Sequence, residues 1–252
     1  VFAALPMYDR PESRAAHDRF WAAIRDGLRA RGVEAPEALD RETNYSDGWA
    51  RPDLTLGQIC NLPYRTLFRG KVRRIAASDY GLEGCPPGYY RSLFVVRQDD
   101  PAMRPEDLAG RPMAYIDALS QSGYGAVASW AVKTGLRLNP ALQTGAHVES
   151  VRAVASGKAD FATIDGQTFR ILAPTVPEIA ALRVIGATPT SPGMTFITSP
   201  QNDPAPFREA IGAAIDGLGT EDAAILGLRG VVVLPDEAYD LQLPPPPSSW
   251  SD

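Results

Sequence analysis

Apolar positions along this chain follow two rhythms, short continuous runs and longer stretches with every third or fourth position apolar. Phe2-Ala-Ala-Leu5 is a run stopped by Pro6 and reads as a strand. Over 13–30, Phe20, Ile24 and Leu28 recur at four-residue spacing with Trp21 beside them, which predicts a helix that Gly32 ends. Residues 35–53 are rich in Pro, Asp, Asn and Gly and are expected to form a long surface loop. Residues 53–60 are expected to be a short helix with Asp53 as its cap. Strands are predicted at 73–77, at 90–97 (the stretch richest in β-branched and aromatic residues) and at 113–116, with a short helix near 105–109.

The second half repeats the layout. A helix is predicted over 122–134, with Val127, Trp130 and Ala131 on one face and Gly135 past its end. Another opens at 145–150 and runs through Val151 and Val154. The strand 160–165 ends in a carboxylate, and a helix starts at Gly166. Strands follow at 182–185 and 193–198. Helices follow at 206–218, with Phe207, Ile211, Ile215 and Leu218 on one face, and at 221–228. The proline-rich end, 241–252, is expected to be an extended surface tail, since proline fits neither regular helix nor central strand.

Alternating strands and helices predict an α/β protein with mostly parallel sheets. The strands 90–97 and 193–198 bracket a middle section of one lobe's size. The expectation is therefore two lobes joined by two crossing strands, 94–194 forming one and 1–93 with 195–252 the other, with a ligand cleft between them. Tyr8 and the Cys60 loop, with Tyr90, would line one wall. Ser120, Gln121, Ser122, His147 and Asp165 would line the other.

Composition narrows the function. The 252 residues are 44% hydrophobic and 22% charged, ordinary for a globular protein, and no apolar run approaches the roughly 20 residues of a membrane span. A formal charge of −5 argues against nucleic acid or an anionic membrane as partner. Beginning at Val1 with an apolar strand, the chain is expected to have lost a leader. Two Cys and two His are too few for a zinc site of usual spacing, and no metal or cofactor is expected. Cys60 and Cys85 lie in loop-like sequence 25 positions apart. A disulfide between them would suit an exported protein and contribute about 3 kcal/mol, while two buried thiols would suit a cytosolic one.

The stretch 113–125, Met-Ala-Tyr-Ile-Asp-Ala-Leu-Ser-Gln-Ser-Gly-Tyr-Gly, reads as a strand feeding a polar turn into a helix start. Unpaired N–H groups and the positive end of the dipole converge at such a point and favour an anion, with Gly123 keeping side chains clear. The alternative is a plain capping serine. His147 sits at a second helix start, where it is either a ligand contact or a surface or cap histidine. Asp165 ends an apolar strand, where a carboxylate is costly unless paired, as a ligand contact or as a helix cap. Ser122, His147 and Asp165 are also the residue types of a hydrolase triad, but no Gly-x-Ser-x-Gly elbow surrounds the serine, and no nucleotide-binding motif occurs.

Ser120-Gln-Ser-Gly-Tyr124 after a strand, then Gly145-Ala-His147 leading through 150–165, resembles the phosphonate/phosphate-type substrate-binding proteins of ABC importers. Tyr89-Tyr-Arg-Ser92 and Gln58-Ile-Cys-Asn61 fit the same pattern, and the resemblance runs from Leu5 to about Leu218. It implies a two-lobed, type II periplasmic-binding fold, and an exported, monomeric protein that is no enzyme. Its partners would be a small oxyanion-bearing ligand and an ABC permease. The resemblance places the oxyanion on Ser120, Gln121, Ser122 and Gly123, with Tyr8, Tyr90, Gln58, Asn61, His147 and Asp165 completing the set. Cys60-Asn61 stands where a Thr or Ser is the expected ligand contact. A hydrolase or a receptor's ligand-sensing domain on the same scaffold are the alternative readings.

Overall fold

The structure is a computed structural model in which residues 1–250 are described. The strands in chain order are β1 (Phe2–Ala4), β2 (Leu54–Ile59), β3 (Arg73–Asp79), β4 (Tyr89–Tyr90), β5 (Ser92–Arg97) and β6 (Pro112–Tyr115). There follow β7 (Asn139–Gln143), β8 (Phe161–Asp165), β9 (Leu182–Ala187), β10 (Ser191–Pro192), β11 (Thr195–Thr198) and β12 (Gly230–Val232). The helices are α1 (Arg14–Arg29), α2 (Tyr45–Trp49), α3 (Asn61–Pro63), α4 (Ala126–Thr134), α5 (His147–Ala155), α6 (Gly166–Leu172), α7 (Ala205–Asp216) and α8 (Thr220–Leu226).

The chain divides into two compact units, the first comprising Val1–Tyr89 and Pro192–Asp240, the second Tyr90–Ser191 and the segment from Leu241. The divisions at 89/90 and 191/192 fall within β4 and β10, which pair as a two-stranded ribbon. The segment from Leu241 belongs to the second unit, not to the first as expected. Its aromatic end decides this: Trp250 packs in a core cluster of that unit and donates to the Tyr124 hydroxyl.

The first unit holds a five-stranded sheet in the order β1-β2-β11-β3-β12. β1 pairs parallel with β2, whereas β11 runs antiparallel to both β2 and β3, and β12 antiparallel to β3. The second unit holds the order β7-β6-β8-β5-β9, with β6 parallel to β7 and β8 and with β5 antiparallel to β8 and β9. Both sheets are therefore mixed rather than mostly parallel. Two of the antiparallel strands, β5 and β11, lie next to a division of the chain and enter their sheets without a crossover helix, whereas β12 follows α8.

Residues 54–59 form β2, not a helix. All six are buried, and with partners on both edges the backbone has every hydrogen bond a strand needs. Asp53 caps nothing; its carboxylate pairs with Arg51 and with the amino group of Val1. The expected loop 35–53 contains α2, whose Trp49 is buried and donates its indole N–H to the Gln58 carbonyl. The predicted helix at 13–30 is α1, burying Phe20, Trp21, Ile24 and Leu28. It packs closely on α7: a Cβ on Gly27 would lie 3.2 Å from that of Ala210.

In the second unit β5 explains its own apolar run. Phe94 and Val96 point into one core cluster, with Met113, Val127 and Phe161, while Val95 points into another, with Val151, Val154 and Ile164. A sheet covered on both faces needs apolar side chains at every strand position.

Cys60 and Cys85 are not joined by a disulfide. Cys60 is buried at the end of β2, and Cys85 lies in a turn closed by its own N–H on the Leu82 carbonyl. Sequence separation sets the loop a bridge would close but not the facing Cβ vectors it requires.

Candidate functional site

In the second unit three helix starts come together, each following a sheet strand. β6 leads to the wide turn Gln121–Gly125, which runs into α4. Ser120 precedes it, and its hydroxyl accepts the Gly123 N–H at 3.0 Å. The Ser120 carbonyl accepts both Tyr124 N–H (3.2 Å) and Gly125 N–H (2.8 Å). β7 leads to α5, which begins at His147. β8 leads to α6, which Asp165 caps by accepting the N–H groups of Gln167 (2.7 Å) and Thr168 (2.9 Å) on Oδ1.

His147 ties the three together. Its Nε2 lies 2.8 Å from Ser122 Oγ and 3.4 Å from the Asp165 peptide nitrogen. A peptide N–H only donates, so the network assigns the lone pair to Nε2 and the ring proton to Nδ1, and the Ser122 hydroxyl donates to the ring. Nδ1 is buried with no partner among the described residues. Burial pushes the imidazole pKa down to about 3, so the ring is neutral at physiological pH.

Of the three helix starts, α5 alone has no side-chain cap. Its first helical bond is Ser150 N–H to the Ala146 carbonyl, so the amides of His147, Val148 and Glu149 precede the ladder. The turn itself is held from behind. The Thr163 hydroxyl on β8 donates to the Ser122 carbonyl at 2.9 Å, and Ser122 and Gln121 are buried. Gly123 is required for the close approach, because a Cβ there would lie 2.7 Å from Ile116 Cγ1 and 3.0 Å from Ser120 Oγ. Gly123→Ala is expected to cost about 1–3 kcal/mol, the usual range for overpacking, read as a lowered thermal midpoint.

The first unit holds Tyr8, Gln58 and Asn61. Tyr8 follows β1 and meets the ring of Tyr80 edge-on, with centroids 5.1 Å apart. Gln58 donates from Nε2 to Ser78 Oγ (3.1 Å) and to the Tyr80 hydroxyl (3.2 Å). Tyr8, Gln58, Tyr80 and His17 border a void of about 20 Å³, room for about one water. Asn61 is buried and committed to the protein, accepting from Arg65 at 2.6 Å and donating to the Pro192 carbonyl at 3.5 Å. Tyr90 does not share this unit; it opens the second. Sequence reasoning missed Tyr80 and Thr163. Tyr80 had a signal, an aromatic just past the carboxyl end of a strand, where open α/β sheets bind ligands.

The sequence matches, over residues 2–238, the family of periplasmic phosphonate substrate-binding proteins of ABC transporters. The chain belongs to this family. No match is found among curated protein sequences. Solved structures share the fold at low identity. The PhnD1 protein of Prochlorococcus marinus, in complex with methylphosphonate, is 16% identical over 95% of this chain and 94% of its own, with a TM-score of 0.68. A binding component of an ABC phosphonate transporter from Pseudomonas aeruginosa is 18% identical over 95% and 82%, TM-score 0.68. The XAC2383 protein of Xanthomonas citri, bound to ATP, is 16% identical over 94% and 92%, TM-score 0.68.

The fold is thus the α/β periplasmic-binding-protein fold, and the protein is a binding component rather than an enzyme. The geometry of the serine and histidine agrees. In a triad the carboxylate orients the nitrogen opposite the nucleophile. Here Asp165 presents its peptide N–H to the same nitrogen that Ser122 contacts, and its Oδ1 caps α6. No helix among the described residues is long and apolar enough to cross a membrane, and they include no cluster of metal-ligating side chains.

Proposed function

We propose that this periplasmic component binds a small oxyanion of the phosphonate or phosphate type at the Ser120–Gly123 turn and the start of α5, acting as a monomer that hands its ligand to an ABC permease. The observation that carries this reading is the meeting of three helix starts on one neutral histidine, with the start of α5 uncapped. Peptide amides and hydroxyls in such a place stabilise an anion without requiring a buried cation. Ser122 is the proposed exchangeable contact: its proton, donated to His147 in the structure, turns to the ligand oxygen. Asp165 serves by capping α6 and by holding the imidazole through its peptide N–H, and Tyr90, which opens the same unit, is a proposed contact to the remainder of the ligand. Nucleic acid is no partner of a chain with a net charge of −5.

Titration calorimetry with methylphosphonate, phosphate and phosphite tests this. At least one is expected to bind at micromolar or tighter Kd. Ser122→Ala is expected to weaken that binding by about tenfold, the worth of one hydrogen bond to a charged group, with little change in thermal midpoint. A folded protein that binds none of the three sinks the oxyanion reading. Equal small losses of affinity and stability would reduce Ser122 to a structural role.

A further inference from the structure

Tyr124 sits in the middle of the wide turn that carries Ser122 and Gly123, and the C-terminal segment holds it from behind. The phenol is 1% exposed; its hydroxyl donates to the Pro245 carbonyl at 2.6 Å and accepts from Trp250 Nε1 at 3.0 Å. The ring lies against Tyr115 with centroids 5.6 Å apart. Trp250 packs with the cluster of Phe94, Val127 and Phe161, and its carbonyl accepts from Arg137 at 3.5 Å. Burial keeps the phenol protonated, its pKa pushed up to about 12, so the donor to Pro245 is present at any ordinary pH.

The other end of the segment is fixed too. Tyr239 is buried in the first unit with its hydroxyl 2.9 Å from Thr195 Oγ1, and Asp240 pairs with Arg69 at 2.7 Å. The segment docked on the second unit holds four consecutive prolines, 244–247, whose fixed φ keeps it extended at little entropic cost. The turn needs such support. It closes by a Gly125-to-Ser120 bond five residues apart and contains two glycines, both features of weak local preference.

We infer that residues 241–250 form a strap that positions the anion-binding turn, with Tyr124 as the positioning residue through which it acts. This rests on the function proposed above. A turn held in its binding geometry has no ordering cost to meet when ligand arrives, whereas a loosened one loses affinity by that amount. The packed ring gives the turn its place, and the two hydrogen bonds fix its rotation.

The test is Tyr124→Phe in the full chain, with Trp250→Phe as a second variant that keeps an aromatic ring but removes the indole donor. Both are read by methylphosphonate, phosphate and phosphite calorimetry and by amide hydrogen exchange. The expected result is an affinity loss of about tenfold for Tyr124→Phe and a smaller one for Trp250→Phe. Exchange at the Gly123 to Ala126 amides should quicken, with the remaining core unchanged. Unaltered affinity in both variants, even with a lowered thermal midpoint, overturns the inference and leaves the strap a plain stabiliser. Ser122→Ala separates the two ideas: if it weakens binding and Tyr124→Phe does not, only the strap fails. If no oxyanion binds wild type, the function reading fails first, and unchanged exchange at 123–126 in Tyr124→Phe overturns the strap by itself.

Discussion

Arg111→Met is expected to destabilise the second unit by about 3 kcal/mol, the lower end of the range for breaking a buried ion pair. Arg111 grips Asp100 with two parallel hydrogen bonds, 2.9 and 2.6 Å, and reaches Asp160 at 3.0 Å. The Asp100 side chain is 1% exposed, so removing the guanidinium strands a buried carboxylate. Arg97, at 3.9 Å, replaces only part of the lost attraction, which keeps the loss at the low end. The three residues tie the end of β5, the start of β6 and the start of β8 at one end of the sheet's three inner strands. The Arg111 hydrogen bonds hold the Asp100 pKa down to about 2. Asp100 titrates lower folded than unfolded, so its contribution is full above an unfolded pKa near 3.8 and is lost as pH falls through about 2. Urea unfolding of wild type, Arg111→Met, Asp100→Asn and the double variant closes a cycle. A coupling below about 0.5 kcal/mol, the limit of additivity for independent sites, would show that the pair does not act as argued.

The second large effect is acid destabilisation through His147. Its pKa is about 3 in the fold, lowered by burial, against 6.5 for an unperturbed imidazole. The unfolded chain therefore binds the extra proton first as pH drops. The stabilising contribution is complete above 6.5 and is lost progressively down to about 3. At pH 4.5, two units below the unfolded value, the loss relative to pH 7.5 is about 2–3 kcal/mol. His17 is the other histidine, and burial lowers its pKa as well. The diagnostic comparison is thus wild type against His147→Gln, by urea unfolding at both pH values. The variant should lack that component of the loss. An identical pH dependence in the two proteins would mean that the imidazole is already charged in the fold.

The Ser120–Gly123 turn, proposed above to hold the anion, was legible as a turn because its signals are local. Strand, Ser-Gln-Ser-Gly and helix follow one another within a dozen residues, and Gly123 stands where a side chain would collide. His147 and Asp165 were legible as helix-start residues, but their meeting with Ser122 was not. The Ser122–His147 contact joins positions 25 apart, and the face each side chain presents depends on how β6, β7 and β8 line up in the sheet. Asp165 shows the limit of a single residue's signal. Cap and ligand contact look alike in sequence, and the buried hydrogen bonds to Gln167 and Thr168 establish the cap.

What the sequence by itself determined is the set of amphipathic helices, the apolar strands buried on both faces, the two-unit α/β plan and the family. Periodicity and order of elements are properties of the chain alone. Only the tertiary structure decided that residues 54–59 become a central strand, since a short apolar run takes the conformation its neighbours can hydrogen-bond. It likewise decided that Cys60 and Cys85 remain apart, and that the proline-rich end returns to the second unit. A proline run predicts an extended backbone but not where it docks. That was fixed at a distance, by the buried hydroxyl of Tyr124 and the indole of Trp250.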